Sequence, residues 1–99
     1  MEKPRIIIVE DDFIISLDLQ DTLEKMGYEI LSVISSGEQA VAQTLKLKPD
    51  LVIMDIMLRG DIDGIEVAQR IHATENIPIL FVSANSDEAT IQRVAKCAN

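Results

Sequence analysis

Short apolar runs alternate with amphipathic segments along the chain, and this alternation limits the possible folds more than any other feature. The runs are rich in β-branched residues and predict strands at Arg5–Val9, 30–34, 51–54 and Ile79–Val82. The first, third and fourth runs are apolar nearly throughout, as expected of parallel strands covered on both faces. With helices between the strands, the order β-α-β-α-β-α-β-α predicts an α/β fold with a doubly wound parallel sheet.

The helical segments show the expected period and start signals. The first is predicted over residues 12–26 and ends before Gly27; its apolar stripe is formed by Ile15, Leu19, Leu23 and Met26. The second starts with a capping box at Ser36 and runs to about Leu47, and the third follows Gly64. A fourth helix is predicted after Ser86, whose hydroxyl can cap it.

Length and composition exclude several classes of protein. A chain of 99 residues is expected to form one domain, residues 1–99, around one core. Its apolar runs are too short for a membrane span or a secretory signal, and a single cysteine, Cys97, suits a reducing compartment, so a cytoplasmic location is expected. The net charge of −8 argues against nucleic-acid contact and against anionic membrane surfaces.

Acidic and hydroxyl residues follow the predicted strands at the edge where open parallel sheets bind ligands. Strand one is followed by Glu10, Asp11 and Asp12, strand three by Asp55, and strand four by Ser83. Adjacent carboxylates repel one another unless a cation joins them, and Mg²⁺ prefers such oxygen ligands. For Glu10 and Asp11 considered alone, a solvated helix N-terminus is the competing interpretation.

Asp55 adds a possible chemical step to this edge. An aspartate beside a divalent cation can attack phosphorus and form an acyl phosphate. The hydroxyl of Ser83 could donate a hydrogen bond to a phosphoryl oxygen on that aspartate. A turn-forming role at the end of the strand is the alternative for Ser83.

Four segments together resemble the receiver domains of two-component response regulators. They are Val9-Glu10-Asp11-Asp12, Met54-Asp55-Ile56-Met57-Leu58, Asp63-Gly64-Ile65-Glu66 and Phe81-Val82-Ser83-Ala84. Their order and spacing match over essentially the whole chain. The resemblance implies a flavodoxin-like receiver topology, in which the four strands take the order 2-1-3-4.

The resemblance also implies a site and a function. Asp55 would be the phosphoacceptor, and Ser83 the switch hydroxyl that controls an output. Mg²⁺, or alternatively Mn²⁺, would be bound by Asp11, Asp55 and the backbone carbonyl of Met57, and Glu10 would act on the metal largely through water. Asp12 would be an accessory acid or a helix cap. A sensor histidine kinase or phosphotransfer protein would supply the phosphoryl group. The chain would be a signalling domain with at most Mg²⁺-dependent self-phosphorylation and self-dephosphorylation, rather than an enzyme.

The sequence departs from the family in two places. Many receivers have a proline three or four residues after the phosphoacceptor, whereas the loop here reads Leu58-Arg59-Gly60; this variant is expected to alter the loop path without removing the site. The chain ends at Asn99, before the fifth strand with its lysine and the fifth helix, so the domain is expected to be truncated. Strand four would then be an edge strand, which is expected to be covered either by the missing strand of a longer chain or by pairing or exchange with another copy.

Two other functions fit parts of the pattern. A degenerate receiver would bind partners without phosphorylation; the absent lysine favours it, whereas Glu10, Asp11, Asp55 and Ser83 oppose it. A phosphatase similar to haloacid dehalogenases would use an Asp-x-Asp pair, which Met57 contradicts.

Overall fold

The computed structural model describes residues 3–58 and 60–82, which form a parallel sheet with three helices. In chain order the elements are β1 (Arg5–Val9), α1 (Phe13–Lys25), β2 (Glu29–Ile34), α2 (Gly37–Leu47), β3 (Leu51–Asp55), α3 (Gly64–His72) and β4 (Ile79–Val82). The strands lie in the order β2-β1-β3-β4, and every pair is parallel. The predicted flavodoxin-like order 2-1-3-4 is therefore confirmed. The predicted fourth helix, with Ser86, lies outside the described residues.

The two faces of the sheet are covered by different helices. On one face, a core cluster joins β1 and β3 to α2 and α3; its members include Ile7, Val9, Val52, Met54, Ala40, Val67 and Ile71. On the other face, Leu19 and Leu23 of α1 pack against a cluster of Ile6, Ile8 and Ile53. Successive residues of β1 and β3 are thus buried on opposite sides, which explains why these strands are continuous apolar runs.

The predicted apolar stripe of α1 is only partly correct. Leu19 and Leu23 pack against the sheet, but Ile15 is 49% exposed and Met26 is 63% exposed. The inward position belongs instead to Ser16, which is buried. On a helix with 3.6 residues per turn, each step of four residues rotates the side-chain direction by about 40° beyond a full turn, so the two steps from Ile15 to Leu23 add up to about 80°. Ile15 therefore rotates away from the face that holds Leu23.

The loop between β3 and α3 is packed rather than loose. Its Leu58 and Ile62 are 7% and 6% exposed and join the same core cluster as the apolar residues of β1 and β3. Gly60 has a φ of 110°, a conformation that favours glycine. Asp63 ends the loop by accepting a hydrogen bond of 2.9 Å from the Glu66 N–H, which caps α3. The residues directly after Asp55 are therefore held by the core.

Candidate functional site

The register of the sheet brings the ends of β1 and β3 together. Val9 lies opposite Met54, so the next residues along the two strands, Glu10 and Asp55, emerge at the same edge. The Glu10 N–H donates to the Ile34 carbonyl at 2.9 Å and continues the ladder with β2. The acidic residue of each strand is thus positioned by backbone pairing.

Three carboxylates converge at this edge. Glu10, Asp11 and Asp55 each present an oxygen, and these oxygens all lie within 4.8 Å of one another. Glu10 is buried, whereas Asp11 and Asp55 are half-buried. Among residues 3–58 and 60–82, this is the one group of three or more such side chains that could hold a metal ion. A small set of hard oxygen donors with access to water fits Mg²⁺, which keeps several waters when it binds proteins.

The surroundings of Glu10 shift the pKa of its carboxyl. Burial of its carboxyl raises the pKa of Glu10 to about 7, and the hydrogen bond and negative charge of Asp55 add to this effect, as does the charge of Asp11. A hydrogen bond of 3.0 Å from the Asp12 N–H to Glu10 Oε1 acts in the opposite direction. A carboxyl with this pKa carries a proton for part of the time at neutral pH. The proton reduces the repulsion within the cluster.

Asp55 is oriented by the loop that follows it. The Met57 N–H donates a hydrogen bond of 3.0 Å to Asp55 Oδ1. The Met57 side chain is 55% exposed, so this residue meets the acidic cluster through its backbone. Ser83, the expected switch hydroxyl, lies outside the described residues.

Asp12 caps α1. Its Oδ1 accepts hydrogen bonds from the Ile14 and Ile15 N–H groups at 3.0 and 3.1 Å. Of the two roles expected for Asp12, the structure supports the helix cap. The run of three acids is therefore divided between the carboxylate cluster and the helix.

An open cleft of about 450 Å³ borders the acids. Glu10 and Asp11 line one end, and the remaining lining residues are Phe13, Ser16, Leu17, Gln20, Val33 and Ser35. Phe13 is 71% exposed and Leu17 is 46% exposed. The surface next to the carboxylates thus offers apolar side chains to a second molecule.

Sequence reasoning missed the importance of Gly64 for this site. A Cβ at this position would overlap the backbone carbonyl oxygen of Asp55 and would lie 2.9 Å from Met54 Cγ. The Gly64 N–H also donates to the Ile56 carbonyl at 3.0 Å. The sequence contains one hint of this contact, the Asp63-Gly64 pair, but as part of the longer Asp63-Gly64-Ile65-Glu66 segment it does not show that Gly64 approaches the Asp55 backbone.

The family follows from comparison with known proteins. The family model described as "Response regulator receiver domain" matches residues 6–98. The chain therefore belongs to the response-regulator receiver family. Domains of this family are signalling modules of two-component phosphorelays; they bind Mg²⁺ in an acidic pocket and interact with histidine kinases or phosphotransfer proteins.

Curated relatives are longer than this chain. The transcriptional regulatory protein AfsQ1 of Streptomyces coelicolor is 34% identical over 88 residues, which cover 89% of this chain and 38% of AfsQ1. The uncharacterized transcriptional regulatory protein YrkP of Bacillus subtilis is 45% identical over 82 residues, which cover 83% of this chain and 34% of YrkP. The chain thus spans little more than a third of the length of these two relatives.

Solved receiver domains share the fold. The signal receiver domain of a modulated diguanylate cyclase from Desulfovibrio desulfuricans G20 has a TM-score of 0.91 and 40% identity, and the match covers 97% of this chain and 76% of that one. The BeF3-activated receiver domain of RstA from Klebsiella pneumoniae has a TM-score of 0.85 and 27% identity, with 95% and 80% covered. Within the described part of the chain, no helix is both long and apolar enough to cross a membrane.

Proposed function

We propose that Asp55 accepts a phosphoryl group in a two-component phosphorelay, with Mg²⁺ bound by Glu10, Asp11, Asp55 and the Met57 carbonyl. The convergence of three carboxylates at the ends of β1 and β3 carries this proposal. It is supported by the family to which the chain belongs. It is also supported by the BeF3-activated form of the related RstA receiver domain.

The proposed reaction is a transfer between histidine and aspartate. A carboxylate oxygen of Asp55 attacks the phosphorus of a phosphorylated histidine; the new P–O bond forms as the P–N bond breaks, and the imidazole leaves and takes up a proton from water. Bound Mg²⁺ would neutralise charge on the phosphoryl oxygens. The Met57 N–H holds one Asp55 oxygen, which leaves the other oxygen of the carboxylate as the candidate nucleophile.

The proposed donor is a sensor histidine kinase or a phosphotransfer protein. To bring its histidine to Asp55, the donor has to cover the surface around the acids. The exposed Phe13 and Leu17 beside Glu10 and Asp11 give that surface an apolar part that a partner can bury. The output would be switched through the Ser83 hydroxyl, in a cytoplasmic protein.

Incubation with acetyl phosphate and Mg²⁺, followed by intact-mass measurement, tests the proposal. We expect the protein to gain one phosphoryl group that is labile to hydroxylamine, and chelation of Mg²⁺ with EDTA to prevent the gain. No modification would favour the degenerate receiver that acts only by binding. Continuous release of phosphate without a labelled protein would favour a phosphatase.

Binding of Mg²⁺ should depend on pH because a proton on Glu10 competes with the metal. Below its pKa of about 7 this carboxyl is increasingly protonated and uncharged, and therefore a poor ligand. We expect the apparent Mg²⁺ affinity to rise about tenfold per pH unit up to roughly pH 7 and to level off above it. Calorimetric titration across this range measures the effect.

Glu10→Gln provides the control for the pH dependence. The amide cannot titrate, so the variant should bind Mg²⁺ more weakly but with a flatter pH profile. An equal affinity of the parent protein at acidic and alkaline pH would contradict the competition.

A further inference from the structure

The loop between β3 and α3 is held at two points outside the acidic cluster. One is the close approach of Gly64 to the Asp55 carbonyl. The other is Ile62, which is 6% exposed although the residues on both sides of it, Asp61 and Asp63, are more accessible. A buried apolar side chain between two accessible acids fixes the path of the backbone around it.

Ile62 packs directly onto the backbone at the start of α2. A Cβ built on Gly37 would lie 2.5 Å from Ile62 Cγ1 and 3.0 Å from Ile62 Cδ1, and 2.9 Å from Val67 Cγ2. Gly37 is the first residue of α2, directly after the Ser36 cap. The absence of a side chain at Gly37 therefore creates the space that Ile62 occupies. We call this contact the Gly37–Ile62 seat.

The seat lies at the far end of the segment that orients Asp55. Asp55 accepts a hydrogen bond from the Met57 N–H, and Leu58 joins the same core cluster as Ile62. The backbone of Met57 is thus placed between the end of β3 and two buried apolar side chains. A shift of Ile62 will move the loop and, with it, the groups that meet the acidic cluster.

We infer that Ile62 and Gly37 are positioning residues, which hold Met57 and the Asp55 carboxylate in the geometry that binds the metal. This inference rests on the proposed metal-dependent phosphoryl acceptance. Neither residue meets the metal or the phosphoryl group. They act through the Met57 backbone, so the start of α2 helps to support the acidic site.

Ile62→Ala and Ile77→Ala form a matched pair for the test. Both isoleucines are 6% exposed and belong to the same core cluster. Ile77, however, precedes β4, whose first residue Ile79 pairs with Val52 near the start of β3, at the opposite end of that strand from the β3–α3 loop. We expect Ile62→Ala to weaken Mg²⁺ binding about tenfold, the lower end of the effect of residues that support metal ligands. Ile77→Ala should stay within about twofold of the parent, since distant sites act independently.

Hydrogen exchange of the Met57 amide gives a readout without metal. In the Ile62→Ala protein this amide should exchange faster than in Ile77→Ala at equal global stability, because its bond to Asp55 Oδ1 is less well held. Gly37→Ala disturbs the seat from the α2 side and should produce the same two effects. Ile62→Val, which removes only Cδ1, should produce them more weakly and covers the case in which the alanine variant does not fold.

Equal Mg²⁺ affinity and equal Met57 exchange in the Ile62 and Ile77 variants would overturn the inference. A parent protein that binds no Mg²⁺ would instead overturn the metal in the proposed function. In that case the Met57 exchange rates alone decide whether Ile62 positions the loop.

Discussion

We expect Asp55→Asn to abolish phosphoryl incorporation from acetyl phosphate and to retain the fold. The amide oxygen can still accept the hydrogen bond from the Met57 N–H, so the side chain keeps its orientation. The amide is a far weaker nucleophile than the carboxylate and cannot form the acyl phosphate. The substitution also removes a negative charge whose repulsion raises the pKa of Glu10. Because repulsion within the cluster is then smaller, the metal-free variant should be at least as stable as the metal-free parent.

Asp61→Asn is the matched control for this experiment. Asp61 is an exposed acid in the same loop, so its replacement changes the net charge equally without touching the acidic cluster. Asp61→Asn should be labelled at the same rate as the parent. Stoichiometric labelling of Asp55→Asn, with the phosphoryl group mapped to another residue, would refute the assignment of Asp55 as the acceptor.

Gly64→Ala should cause a large loss of stability, larger than that of the control substitution Gly60→Ala. The added methyl group would overlap the Asp55 carbonyl oxygen, which is backbone at the end of β3, where Asp55 pairs with Val82 of β4, and not the far end of a flexible side chain. Overpacking of a core commonly costs about 1–3 kcal/mol, and a fixed backbone neighbour places this case at about 3 kcal/mol or more. Urea unfolding followed by circular dichroism measures the change in free energy.

Gly60→Ala separates crowding from backbone conformation. Gly60 has a positive φ, but apart from its chain neighbours none of the residues that the structure describes has an atom within 4 Å of the position that a Cβ would take. Alanine there therefore costs only the strain of a left-handed residue, about 1–2 kcal/mol. The Gly64 variant should be clearly less stable than the Gly60 variant. If the two lose the same free energy, the close contact between Gly64 and Asp55 does not determine the requirement for glycine.

The strands could be predicted from the sequence because their signal is local. Apolar runs rich in β-branched residues predicted β1, β3 and β4, and β1 and β4 have the predicted bounds. For α1 the existence of the helix was predictable, but its rotation was not. Ile15 looks like a member of the stripe by spacing alone, and only contact with the sheet shows that Ser16 faces inward.

The acidic cluster was predictable because parallel strands place their carboxyl ends at one edge, so Glu10, Asp11 and Asp55 were expected to meet. The supports of the cluster were not predictable in the same way. Gly37 and Ile62 are 25 positions apart in the sequence, and their contact depends on the path of a loop. The partial protonation of Glu10 likewise depends on burial, which residue spacing does not reveal.

The acidic cluster is built on β1 and β3 alone, and these are the inner strands of the described sheet. In thermodynamic terms, a ligand stabilises a protein only against those openings that destroy its site. Fraying of β4 from β3 would break the pairing of Asp55 with Val82 but would leave Val9 opposite Met54, directly before Glu10 and Asp55, so an ion bound to the cluster would oppose it only weakly. Local unfolding of β4 is therefore less strongly coupled to occupancy of the site than separation of β1 from β3, which would part Glu10 and Asp11 from Asp55.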